Sequence, residues 1–179
     1  MRFLGLMLLC LMQLAKPAPV PGLPEAAGVY FRQNNTEWIK IETAVMAAMK
    51  SKGMGEFLET DGYTNLDMLV TYEGAQAKLQ IPMPRPTLYV RGAGSAKDAM
   101  IVSLTRKKDS RTVRTASSVA TVENRAGFKK DEIQRVTVTV YSDNSFAVTP
   151  EQDLKPGEFA LVFGFANAAY DFGITRPKK

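Results

Sequence analysis

From Leu154 to Thr175 the chain alternates large apolar residues with small or polar ones at a period of two, and no other stretch constrains the fold as tightly. Pro156-Gly157 reads as a turn pair. Phe159, Leu161 and Phe163 then point one way, Ala160 and Val162 the other. After a small-residue connection around Asn167, Tyr170, Phe172 and Ile174 alternate again with Asp171 and Gly173 between them. Two strands carrying large apolar side chains on one face form a hairpin that covers a core. Asp171 faces the opposite side. It is either a solvated residue that discourages edge association or one half of an ion pair.

The upstream chain supplies more sheet. Val29–Arg32 and Glu37–Glu42 form a hairpin around the turn Gln33-Asn34-Asn35-Thr36, which also matches a glycosylation sequon. Thr43–Lys52 changes character: Thr43 is a cap, and the alanines and methionines that follow predict a helix. Gly53–Asn65 is a glycine-broken polar loop. Leu66–Tyr72 is a strand, Glu73-Gly74 a turn, and Ala77–Ile81 the return. Pro82, Pro84 and Pro86 space an extended connector before a strand at Thr87–Arg91. Met100–Leu104 and Thr112–Val122 are strands around a basic turn. Gln134–Tyr141 and Ser145–Thr149 are strands joined at Asp143-Asn144. About ten short strands at hairpin spacing, without regular strand–helix alternation, predict a mainly β fold. The expected architecture is an antiparallel β-sandwich or open barrel with one short helix.

Met1–Ala15 reads as a secretory signal: Arg2 followed by an apolar run shorter than the ~20 residues of a membrane span. Residues 16–26 form a proline-rich linker, residues 27–175 a single β-rich domain, and residues 176–179 a basic tail. The product is expected to be periplasmic or secreted, with no transmembrane helix in the mature chain. The only cysteine, Cys10, lies in the leader, and the chain has no histidine. That removes the commonest general base, the commonest metal ligand and any disulfide from the domain.

The closing run Leu154-Lys155-Pro156-Gly157-Glu158-Phe159-Ala160-Leu161, followed by Tyr170-Asp171-Phe172-Gly173-Ile174, resembles the end of a β-rich domain of exported bacterial proteins with no assigned function. The basic hairpin Leu104–Arg114 and the opening Gly28-Val29-Tyr30-Phe31 through Trp38 occupy similar relative places there, so the resemblance spans most of the mature chain. It implies an envelope domain and brings no catalytic residues.

Charge supplies the leading functional expectation. The whole chain has an excess of +5, and residues 97–135 alone hold ten basic against five acidic side chains. Arg106, Lys107, Lys108, Arg111 and Arg114 cluster around one turn as a candidate anion or partner surface. An envelope protein, an acidic polysaccharide or anionic lipid head groups would fit it. The cluster lacks the interleaved aromatics that nucleic acid would want. No catalytic, metal or cofactor residue is assigned: Gly92-Ala93-Gly94 lacks the Lys-Ser/Thr of a phosphate loop, and short pairings such as Ser51-Lys52 have no context. The second reading is a hydrolase of carbohydrate or ester substrates using Glu56, Glu59, Asp61 or Asp67 near the glycine-rich loop. A third is a structural subunit that offers an edge strand to a partner.

Overall fold

A computed structural model describes residues 18–52, 66–117, 127–164 and 168–176. The fold is mainly β, and its strands fall into two sheets. The smaller sheet has five strands: β1 (Gly28–Gln33), β2 (Glu37–Ile41), β6 (Leu88–Arg91), β10 (Val136–Ser142) and β11 (Ser145–Pro150). They lie in the order β10-β11-β6-β1-β2. Asn34 and Asn35 both adopt positive φ (50° and 58°) in the three-residue connection between the paired Gln33 and Glu37, where Thr36 N–H donates to the Gln33 carbonyl at 3.1 Å.

The larger sheet has eight strands: β3 (Met46–Lys52), β4 (Leu66–Glu73), β5 (Gln80–Ile81), β7 (Ala99–Arg106), β8 (Ser110–Ser117), β9 (Ile133–Gln134), β12 (Gly157–Phe163) and β13 (Ala169–Ile174). The path is β3-β4-β8-β7-β12-β13-β5, with β9 paired to β7. The sheets face each other across one core. Val29, Phe31, Ile41, Leu88, Val90, Phe146 and Val148 come from one side, and Ile101, Phe159, Leu161, Phe163, Phe172 and Ile174 from the other. Phe159 stacks on Phe172, and Phe163 meets Phe146 edge-on across the gap, as aromatic quadrupoles favour.

The larger sheet also folds over itself. β7 pairs β12 through residues 99–104, but it pairs β8 only at Thr105 and Arg106. β8 then leaves β7 and runs along β4, which carries β3. The segment ahead of β3 returns to β13: Ala44 N–H donates to the Ala169 carbonyl at 2.7 Å, and Thr43 bridges Tyr170. A second core forms from Val70, Tyr72, Val102, Leu104, Val113, Phe128, Ala160, Val162 and Ala169. Both faces of β12 are therefore buried, which accounts for Ala160 and Val162 opposite Phe159 and Leu161.

Two expectations are corrected. Thr43–Lys52 is not a helix; Met46–Lys52 is an edge strand paired with β4 along its length, and among the described residues the only helical element is a 3-10 turn at Ala96–Asp98. Intrinsic helix preference, even that of Ala and Met, is a weak determinant, and the ladder with β4, interrupted only by a register shift between Met46 and Ala48, outweighs it. The return after Gly74 does not pair with β4 either. Its strand is short, β5, and runs parallel to β13 through Gly173↔Gln80 and Ile174↔Ile81. No helix among the described residues is long and apolar enough to cross a membrane.

Candidate functional site

The five basic residues singled out by the sequence do not form one surface. β7 and β8 meet in a tight turn, closed by Lys107 N–H donating to the Ser110 carbonyl at 2.8 Å. Period-two alternation along β8 turns Arg111, Val113 and Thr115 inward and Arg114 outward.

Arg111 is buried, at 3% exposure, at one end of the second core. Each of its three guanidinium nitrogens has a partner. Nη1 donates to Asp171 on β13 and stands 3.9 Å from Glu158 on β12. Nε donates to the Gly74 carbonyl at 2.9 Å and Nη2 to the Glu73 carbonyl at 2.7 Å. Glu158, also buried, accepts the Ala77 N–H at 2.7 Å and the Gln80 amide at 3.3 Å. One cation thus ties β8, β12, β13 and the turn after β4 together. A buried charge persists only when paired and hydrogen-bonded in this way. Tyr72 sits at the same end. Burial first, and then the Asp171 charge, push its phenol above the ordinary tyrosine range.

Arg114 is committed too, on the outside. It pairs with Asp131 and donates through Nε to Glu132 Oε1 at 2.8 Å. Glu132 is buried and also accepts from the Ser103 hydroxyl at 2.9 Å. Hydrogen bonds to Glu132 and then to Asp131 hold the Arg114 proton more tightly, and the reciprocal bond keeps the Asp131 carboxyl below its ordinary range.

Arg106, Lys107 and Lys108 remain. All three are exposed at the tip, and none makes an ion pair among the described residues. With its oxygen turned toward Arg106, the Gln76 amide accepts from both Nη atoms at 3.0 and 3.1 Å. Gly74 N–H donates to the Asp109 carbonyl at 3.1 Å, so the neighbouring turn braces the tip from its side. The alternative carboxylates Glu56, Glu59 and Asp61 lie outside the described residues, as does the side chain of Asp67.

Sequence reasoning also passed over the outward face of the smaller sheet. There Arg32 lies over the Trp38 ring at 5.2 Å, and Trp38 meets Tyr89 edge-on at 5.1 Å. Alternation marks each of these residues as outward-facing, but only the strand register brings β1, β2 and β6 side by side.

No family model, curated protein or solved structure matches this chain.

Proposed function

We propose that the chain is an exported, non-enzymatic binding domain that docks on an anionic envelope surface through Arg106, Lys107 and Lys108. The observation that carries this reading is the division of labour among the five cations. Arg111 and Arg114 are held by carboxylates of the same chain, whereas the three tip residues have none among the described residues. An unpaired cluster raises the local potential and attracts acidic polysaccharide or anionic head groups, and salt screens that attraction over about 8–10 Å. Arg111 supports the docking surface from within by fixing the base of the hairpin to β13 and to the turn after β4. Co-sedimentation with envelope fractions at low and high salt tests the reading. The wild-type protein should sediment at low salt and be released at high salt. The double charge reversal Lys107→Glu/Lys108→Glu should remain in the supernatant at both. Unchanged retention of that variant removes the proposal.

A further inference from the structure

The outward face of the five-stranded sheet carries a second, chemically different surface. The inward positions of these strands fill the core: Val29 and Phe31, Ile39 and Ile41, Leu88 and Val90, Phe146 and Val148. Their neighbours in the chain must face away. The ladder aligns these outward residues into rows across the sheet. Trp38 pairs with Arg32. In the next row Lys40, Tyr30, Tyr89, Ala147 and Thr139 stand side by side. In the third, Gly28, Arg91 and Ser145 are neighbours. Among the outward positions of the five strands there is no Asp or Glu.

Two features of this face ask for a ligand. First, Arg32 and Arg91 are half-buried cations without a counter-charge among the described residues, Arg32 having only the Trp38 ring beneath it. Neither makes an ion pair or a side-chain hydrogen bond among the described residues, and the Nε atom of each is sealed from solvent with no acceptor. A partly desolvated guanidinium without a partner is costly, and an acceptor at its Nη edge recovers more there than it would beside a fully hydrated lysine. Second, the aromatic rings are half-exposed: Trp38, Tyr89 and Tyr141 all stand partly open on the face. Trp38 and Tyr89 hold each other edge-on, so the platform is pre-organised. Partial burial, and then the neighbouring Tyr89, push the Tyr141 phenol above its ordinary range.

The shape and spacing select the ligand class. Arg91 lies opposite Gly28 and Arg32 lies four residues further along the same strand, so the two cations are about 13 Å apart along the strand direction. Between them lies Tyr89, beside the small Ala147. Hydroxyls border the strip, with Thr87 and Thr149 bonded to each other at 3.0 Å. Sparse cations, stacking rings and hydroxyls match a polymer of sugar rings with intermittent carboxylates. They match nucleic acid less well, because its phosphates recur at every residue. The segment preceding β1 lies against this face: Tyr30 donates to the Ala26 carbonyl at 2.8 Å, a Cβ on Gly22 would stand 3.5 Å from the Trp38 indole nitrogen, and Tyr30 and Ala147 are themselves buried.

We infer that this face binds an acidic glycan, with sugar rings on Trp38 and Tyr89 and uronate carboxylates on Arg32 and Arg91. It is separate from the hairpin tip, which belongs to the other sheet.

Trp38 is the only tryptophan in the chain, so its emission reports this face directly. The purified mature protein is titrated with oligogalacturonate, oligoalginate and a heparin oligosaccharide, with cellohexaose and an oligothymidylate as comparisons. At least one acidic glycan should shift the emission saturably, and cellohexaose should not. Arg91→Gln should weaken that binding about tenfold, the value of one lost charge-assisted hydrogen bond. Thr139→Glu, which puts a carboxylate beside the platform, should abolish it with melting unchanged. Lys107→Glu/Lys108→Glu should leave it intact. No response to any acidic glycan, an equal response to cellohexaose, tighter binding of oligothymidylate, or indifference to both face substitutions would each overturn the inference.

Discussion

Arg111 on β8 donates to Asp171 on β13 inside the second core, 60 residues apart in the chain and both nearly sealed from solvent. A residue that reads as one of a run of surface cations is therefore an internal fastener, and this separates the residues that hold the fold from those free to meet a partner.

Removing Arg111 should be among the most damaging single changes available. Arg111→Ala leaves Asp171 and Glu158 buried without their cation and frees the Glu73 and Gly74 carbonyls. The expected cost is about 3–5 kcal/mol in urea unfolding. Asp171→Ala should cost less, because Glu158 remains near the guanidinium. The double variant should be less destabilised than the sum of the two. Additive losses would show that the pair does not interact.

Gly173 is required by a side chain rather than by its own φ. A methyl group there would overlap the Gln80 amide, which donates to the Ala77 carbonyl at 3.0 Å and to Glu158 at 3.3 Å. Gly173→Ala should displace Gln80, cost about 1–2 kcal/mol, and couple to Gln80→Ala in a double-mutant cycle. Full stability of Gly173→Ala would contradict the packing described.

Tyr72 gives the alkaline limb of the stability profile a specific origin. Its folded ionisation is raised above the unfolded value of 10.0. Folding therefore favours the neutral phenol. That contribution is complete below pH 10, and it is lost as pH rises from there through the higher folded value. Stability should fall above pH 10, and Tyr72→Phe should flatten that fall with little effect at pH 7. An identical alkaline slope in the variant would remove Tyr72 from the account.

Asp131 acts in the opposite direction. Arg114 keeps its carboxyl below the ordinary value of 3.8, so the charged pair contributes above that value and is lost as pH falls through the lower folded one. Both partners are solvent-exposed, and screening makes the effect on stability small. Its signature is the titration itself. Arg114→Gln should return the Asp131 carboxyl toward its ordinary range when followed by NMR, and an unchanged titration would show the pair to be idle.

Much of this fold is written in alternation. Phe159, Leu161 and Phe163 face the sandwich core and Ala160 and Val162 the opposite side, as their spacing indicates, and the turn at Asn34-Asn35 falls where it should. Asp171 stands out in the sequence as the misfit in its strand, and of the two meanings open to it the ion pair is the one realised. Other features depend on pairing between distant segments. Thr43–Lys52 has the composition of a helix, and only its ladder with β4 makes it a strand. The basic run reads as one patch because charge has no period. The inward parity of Arg111 with Val113 becomes meaningful only once β8 is known to roof a second core. Trp38 and Tyr89 are 51 residues apart and meet only because β1 lies between β2 and β6.

The most direct test compares two charge changes within one hairpin. Envelope co-sedimentation and urea unfolding are measured side by side for the wild type, Lys107→Glu/Lys108→Glu and Arg111→Gln. The tip variant should lose salt-sensitive binding while keeping stability within about 0.5 kcal/mol of wild type. Arg111→Gln should lose several kcal/mol of stability. An Arg111→Gln protein that folds as stably as wild type and fails to bind, beside a tip variant that binds normally, would contradict the account.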